Sequence, residues 1–213
     1  TELSVGVRWL WAHDLLRPMA IILGLLNMLF TMGGALLVLF AQEVLSTTAT
    51  EFAILSTGGA IGGVLGGWAA SAVVSKIGSG PSLALTMIGG GITSILIGLS
   101  SAWPVVWLMF AIAMFVGVLW NVITVSLRQA IIPDELLGRV NSVYRFFAWG
   151  MMPLGALLGG ITVTVTEQFG SRELALRMPW FIAGVAQLAL YLFAAPRLTT
   201  NKMEAARAEA TVE

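Results

Sequence analysis

The sequence contains no cysteine and only one histidine, His13. Disulfide frameworks and thiolate metal sites are therefore excluded, and a single imidazole cannot form a histidine-based metal cluster. We accordingly predict no metal site and no bound cofactor.

Charged residues are scarce as well. Asp, Glu, Lys and Arg make up 10% of the 213 residues, against about 25% in a soluble domain. Hydrophobic residues make up 58%, and the mean hydropathy is +0.92. The formal net charge is zero, so the chain lacks the excess of Lys and Arg that a nucleic-acid partner requires. The composition predicts an integral membrane protein whose main partner is the lipid bilayer.

Six apolar runs contain no Asp, Glu, Lys, Arg or His. Each has about the 20 residues needed to cross roughly 30 Å of hydrocarbon at 1.5 Å per residue. We predict transmembrane helices at residues 19–40, 52–74, 83–99, 105–127, 146–165 and 178–195. The expected fold is all-α, with a linker at 1–17, a six-helix bundle at 18–197 and a solvated, frayed tail at 198–213.

Lys and Arg are unequally divided between the two sides of this predicted bundle. Arg172 and Arg177 face one side, and the other nine basic residues face the opposite side: Arg8, Arg17, Lys76, Arg128, Arg139, Arg145, Arg197, Lys202 and Arg207. Because cytoplasmic loops keep the positive charge, both termini are predicted to be cytoplasmic. The loop at 42–51, which carries Glu43 and Glu51, is then external.

Glycine recurs every four residues in the second and fifth runs. Gly58, Gly62 and Gly66 share one helix face, as do Gly155 and Gly159. Such smooth stripes let helices approach closely in lipid and pack by dispersion. The stripes are compatible with static packing or with an interface that slides against a second bundle. The second and fifth runs hold equivalent positions if the chain is two three-helix units related by inverted topology, and this is the architecture that we predict.

Polar side chains are few inside the predicted spans. Asn27 and Thr31 lie on one face of the first span, and Asn121 and Thr124 on one face of the fourth, beside Trp120. These side chains either line a cavity or bond to neighbouring helices and backbone carbonyls. Asn27 and Asn121 hold equivalent positions in the two units, and both interpretations stay open for them.

No predicted span contains Asp or Glu, the usual proton relays of coupled transporters. Proton coupling would need a group outside these residues or at a span edge, such as Glu43 or Glu51. Gln187 in the last span is predicted to face lipid headgroups or a neighbouring helix. An intramembrane serine protease needs an imidazole base within the membrane, whereas His13 precedes the first span. We therefore predict no catalytic residues and no enzymatic activity.

Residues 128–145, RQAIIPDELLGRVNSVYR, and 148–160, AWGMMPLGALLGG, resemble the loop between the tenth and eleventh helices, and the eleventh helix, of bacterial major facilitator exporters. Residues 5–20, VGVRWLWAHDLLRPMA, resemble the central linker of the group that includes enterobactin exporters and macrolide-efflux proteins. The resemblance covers nearly the whole chain. It implies the C-terminal half, helices seven to twelve, of a transporter of the bacterial inner membrane.

The resemblance also implies roles. The first and fourth spans would line a central cavity for a small amphipathic or hydrophobic compound, exported by alternating access. The residues expected in its walls are Asn27, Thr31, Trp120, Asn121 and Thr124. The glycine stripes would contact the missing N-terminal half. Residues 71–80, SAVVSKIGSG, resemble a degenerate signature loop with Ser75 where Asp is usual. A cytoplasmic gate loop would contain Arg128, Pro133, Asp134, Gly138 and Arg139. A membrane scaffold or partner subunit that does not transport is the alternative.

Overall fold

The computed structural model describes residues 2–212. In that part of the chain the structure is helical and contains no strand. The helices are α1 (Glu2–Ala12), α2 (Leu16–Gly34), α3 (Leu37–Leu39), a π-helical turn (Phe40–Val44), α4 (Ala49–Ile77), α5 (Ser79–Leu99), α6 (Trp103–Ile131), α7 (Asp134–Thr166), α8 (Arg172–Ala194) and α9 (Thr200–Val212).

Six helical segments are long and apolar enough to cross a membrane. The first is Leu16–Val44, in which α2, α3 and the π-helical turn follow one another, and the others are α4, α5, α6, α7 and α8. The prediction of an all-α protein with six membrane-spanning helices is confirmed at this level.

The helices extend beyond the apolar runs that predicted them. Only Ile132 and Pro133 separate α6 from α7, so the stretch 128–145 is almost entirely helical. The expectation of a loop there was wrong. Asp134 and Glu135 lie in the first turn of α7, where negative charge interacts favourably with the helix dipole. Hydropathy therefore marks the lipid-facing part of these helices and not their ends.

The two helices outside the spans, α1 and α9, lie at the same end of the bundle. Leu10 of α1 and Met203 of α9 are buried in one hydrophobic core. The N–H of Gly80 at the start of α5 donates to Thr200 Oγ1 over 3.0 Å, which ties α9 to the bundle. The tail was predicted to be frayed, and this was wrong: it forms a helix that is docked through the buried Met203 and through Thr200.

His13 caps the start of the first span. Its Nδ1 accepts hydrogen bonds from the N–H groups of Leu15 and Leu16 over 3.2 and 3.3 Å. Burial lowers the pKa of the His13 imidazole, and the nearby carboxylates of Asp14 and Glu209 partly oppose this. A neutral imidazole keeps Nδ1 available as an acceptor, so the cap depends on the ring staying unprotonated.

Each span packs along a particular partner. The closest pairs are α4 with α6, α2 with α7 and α5 with α8, and α5 also contacts α6 while α2 contacts α8. Only 17% of the apolar stretch of α4 and 22% of that of α7 is buried, against 44% in α5 and in α6. The helices α4 and α7 therefore lie at the edge of the bundle and keep wide apolar faces exposed.

The glycine stripe of α4 explains its close contact with α6. A Cβ atom on Gly58 would lie 2.6 Å from the carbonyl oxygen of Trp107, and one on Gly66 would lie 2.6 Å from that of Phe115. Gly62, one turn from each, meets the same helix backbone. Only a residue without a side chain lets the two backbones approach this closely.

The glycine stripe of α7 allows an equally close approach to α2. Cβ atoms on Gly155 and Gly159 would overlap the backbone carbonyls of Met28 and Met32. All five predicted glycines thus pack against helices of their own bundle. Contact between these residues and a second bundle stays a prediction, and the static-packing interpretation accounts for the contacts that the structure contains.

At the end opposite α1 and α9, the two arginines are paired with carboxylates. Arg172 pairs with Glu43 over 2.8 Å and with Glu167, and so joins the π-helical turn to the end of α7. Arg177 pairs with Glu173 over 2.8 Å. We call this the acidic end, and the end with α1 and α9 the basic end.

Candidate functional site

A cavity of about 210 Å³ lies between α2, α5, α6 and α8. On α6 its lining residues run from Phe110 to Asn121, the middle of a helix that spans Trp103–Ile131. One hydrophobic core, which includes Leu10 and Trp120, lies toward the basic end. A second, which includes Trp180, lies toward the acidic end. The cavity therefore sits at about half the depth of the bundle.

The helices α2 and α6 form two opposite walls, and each contributes an asparagine to the lining. Asn27 Nδ2 donates to the carbonyl of Ala148 in α7 over 2.9 Å. Asn121 Nδ2 donates to the carbonyl of Gly117, one turn earlier, over 3.3 Å. Both amides are thus held in the cavity walls by backbone carbonyls.

Of the five residues predicted to line a cavity, the structure brings three together: Asn27, Trp120 and Asn121 line it. Thr31 and Thr124 do not. Thr31 Oγ1 donates to the carbonyl of Asn27 over 2.8 Å and Thr124 Oγ1 to that of Asn121 over 3.4 Å. Both threonines therefore satisfy their hydroxyl groups on their own helix.

The floor of the cavity comes from α5 and α8, which the sequence did not assign to it. Gln187 lines the cavity and donates from Nε2 to the carbonyl of Met87 over 3.1 Å. Contact with a neighbouring helix was one of the two placements predicted for Gln187, whereas its place in the cavity was missed. The glycine run at 89–91 was the available signal, because a Cβ atom on Gly90 would overlap the Gln187 amide.

Aromatic rings close the cavity toward the acidic end. The Trp180 ring lies 5.8 Å from that of Phe110 in an edge-on arrangement and 5.9 Å from that of Phe40. A Cβ atom on Gly33 would lie 2.6 Å from carbons of the Trp180 ring. Glycine at that position therefore leaves the space that the indole occupies.

Ionisable side chains are missing from the lining. The residues around the cavity include no Asp, Glu, Lys, Arg or His, and its polar atoms come from amides, hydroxyls and indoles. Thr86 and Thr93 donate to carbonyls of their own helix over 2.7 and 3.0 Å. Within residues 2–212 no cluster of side chains suits a metal ion. The cavity can therefore recognise a ligand by shape and by neutral hydrogen bonds.

Comparison with known proteins does not identify the chain. No family model, no curated protein and no solved structure matches it. The position and the neutral lining of the cavity are therefore the observations on which a function can be proposed.

The predicted gate residues lie at the basic end. Arg128 is buried in the last turn of α6, and its guanidinium lies 3.9 Å from the centre of the Tyr144 ring of α7, a favourable cation–π contact. A Cβ atom on Gly6 of α1 would lie 3.1 Å from the Arg139 backbone. Pro133 stands between the two helices, and Asp134, Gly138 and Arg139 lie in the first turns of α7. The segment joins α6, α7 and α1.

Proposed function

We propose that the chain is the C-terminal half of a twelve-helix transporter of the major facilitator type, which exports a small amphipathic or hydrophobic compound by alternating access. The observation that carries the proposal is the half-depth cavity between α2 and α6. A site at the membrane midplane can be opened to either side when two bundles rock around it. Polar groups held at that depth are costly and usually functional.

The size of the cavity supports a two-bundle protein. Sites for drug-sized ligands usually have about 300–1,000 Å³, whereas this cavity has about 210 Å³. Phe30 and Asn121 line it and are also exposed, so it is open on one side. A second bundle placed there would complete the site.

The packing of the spans supports two inverted three-helix units. Suppose that α2, α4 and α5 form one unit and that α6, α7 and α8 form the other. Exchanging the units replaces α2 by α6, α4 by α7 and α5 by α8, and the reverse. The contact of α4 with α6 then becomes that of α7 with α2, and the contact of α5 with α6 becomes that of α8 with α2. The contact of α4 with α5 becomes that of α7 with α8, and the contact of α5 with α8 is unchanged. All main contacts between spans obey this exchange, as expected for the repeats of such transporters.

We place the contact with the missing half on the outer faces of α4 and α7. Val64 is 74% exposed and Trp68 82% on α4, and Trp149 is 60% and Leu157 59% exposed on α7. On the opposite faces the glycines contact α6 and α2, so the contact predicted between the glycines themselves and the missing half would require α4 and α7 to separate from these helices. A second bundle and lipid would share the exposed faces.

Transport is expected to require both halves. In cells loaded with the uncharged dye Nile red, the chain together with a six-span N-terminal half should give efflux, and the chain alone should match empty vector. Ala113→Trp, which fills the cavity, should abolish efflux. Ile112→Trp, on the exposed side of the same helix, should not. Full efflux by the chain alone would contradict the proposal. If cells that contain both halves showed no efflux, the scaffold alternative would be favoured.

We also propose that the basic end faces the cytoplasm of a bacterial cell, since nine of the eleven basic residues lie there. The absence of cysteine makes single-cysteine variants informative. In intact cells, Gln168→Cys at the acidic end should react with a membrane-impermeant maleimide, and Asn201→Cys at the start of α9 should react only after lysis. The reverse pattern would invert the orientation.

A further inference from the structure

The chemistry of the cavity indicates what kind of compound it takes. We infer that the cavity binds an uncharged, mainly apolar molecule with a carbonyl or hydroxyl group, held by a hydrogen bond to the indole N–H group of Trp120 or of Trp180. This inference rests on the proposed function, because it assigns the substrate class of the same site.

The neutral lining disfavours ionic ligands. It includes no ionisable side chain, so this bundle offers no counter-charge to a cation or an anion at half its depth. Moving an ion from water into such a place costs several kcal/mol. A neutral molecule with apolar surface avoids that cost and gains from burial.

The hydrogen-bond donors define the polar part of the ligand. Trp103 Nε1 donates to Glu51 over 3.0 Å and Trp107 Nε1 donates to Thr57 over 3.1 Å. Trp120 and Trp180 are each 3% exposed, and in the described structure neither indole N–H has a partner. Both of these unsatisfied indoles line the cavity. A buried unpaired donor is destabilising, and a ligand oxygen would satisfy it.

The amides supply the complementary acceptors. Asn27 and Gln187 use their nitrogen atoms on backbone carbonyls. Within the described residues, their oxygen atoms accept no hydrogen bond. A hydroxyl group, which both donates and accepts, can therefore bond to an indole and to an amide at once.

Binding requires a small movement of the indoles. The two unpaired N–H groups are covered by protein atoms, so each ring must turn for its N–H to face the cavity. The Trp180 ring packs against Phe40 and Phe110, so a hydrogen bond from its N–H to the ligand would have to offset the loss of part of that packing.

Photolabelling with matched probes tests the inference on the full chain in lipid nanodiscs. Benzophenone is neutral and has one carbonyl, 4-benzoylbenzoate is its anion and (4-benzoylbenzyl)trimethylammonium its cation. Labelling of Met114, in the cavity lining, is compared with labelling of Trp68, which is 82% exposed on α4. We expect saturable labelling of Met114 by benzophenone and at least tenfold less by either ion. Equal labelling by an ion, or no saturable labelling by benzophenone, would overturn the inference.

Variants test the hydrogen bonds. Because Trp120 and Trp180 lie toward opposite ends of the cavity, the single carbonyl of benzophenone can reach only one indole. Either Trp120→Phe or Trp180→Phe should therefore weaken benzophenone binding about fivefold, the equivalent of about 1 kcal/mol for one hydrogen bond. Trp103→Phe should leave it unchanged. The neutral probe 3-phenyl-3-(trifluoromethyl)diazirine, which has no strong acceptor, controls for altered packing, because a packing change would weaken both probes equally. Such equal loss, or no loss in either variant, contradicts the inference. Efflux is measured separately, so binding without efflux would count only against transport.

Discussion

Replacing Gly62 with alanine is expected to destabilise the protein by at least about 1–3 kcal/mol, the usual range for overpacking. The new methyl group would overlap the carbonyl oxygen of Ala111. That oxygen belongs to the backbone of α6 and cannot turn aside as a side chain can, so α4 must move away. Alanine normally favours a helix over glycine by roughly 0.5–1 kcal/mol, and the clash reverses that preference. Thermal unfolding of the purified protein in detergent measures the loss.

Gly63→Ala is the matched control. It changes the next residue of the same helix, and its methyl group would meet only a side-chain carbon of Val118 at 3.7 Å, an ordinary contact. We expect stability to be unchanged or slightly raised. If Gly63→Ala were as destabilising as Gly62→Ala, the cause would be the loss of glycine flexibility and not the contact between α4 and α6.

The second large effect is expected from Arg177→Ala, with a loss of about 2–4 kcal/mol, because hydrogen bonds to charged groups contribute roughly 1.5–3 kcal/mol each. Arg177 Nη1 donates to the carbonyls of Gly98 and Ser100 over 2.6 and 2.8 Å, and Nη2 donates to Ser101 Oγ over 2.7 Å. Its side chain is only 11% exposed. The cation thus satisfies carbonyls at the end of α5 that have no partner in the helix.

Arg172→Ala is the control for Arg177. Arg172 has two carboxylate partners, but its side chain is 43% exposed and those of Glu43 and Glu167 are each 37% exposed. Solvent and salt weaken such pairs, so we expect a much smaller loss that shrinks further as ionic strength rises. Chemical unfolding at low and at high salt measures the loss of stability in both variants. Losses of similar size would refute the capping role of Arg177.

The sequence predicted the spans well because a charge in lipid is so costly that an uninterrupted apolar run of about 20 residues is a strong mark of a membrane-spanning helix. It failed at the helix ends. The first turns of α7, with Asp134 and Glu135, and the whole of α9 are polar helices outside the apolar runs. Hydropathy cannot distinguish a polar helix from a polar loop, and the docking of Met203 depends on neighbours distant in sequence.

The candidate site was predictable only in part, for a related reason. Asn27 and Asn121 are isolated amides within apolar runs, and this alone suggests that they face the protein interior. Trp180 and Gln187 line the same cavity because α8 packs on α5 and also contacts α2. Helix pairing of this kind is set by shape across the whole bundle. The glycine run at 89–91 indicates that another helix comes close, but not which helix it is.

The pairing of α4 with α6 and of α7 with α2 has a consequence for synthesis in the cell. When the ribosome has produced only the first three spans, α4 still lacks the helix that covers its glycine face, and α2 lacks α7. Neither three-helix portion can reach its final arrangement before the other has been inserted. Because α5 also pairs with α8, we expect the six spans to reach their final arrangement only after α8 has been inserted, and until then lipid or the insertion machinery would cover the glycine faces.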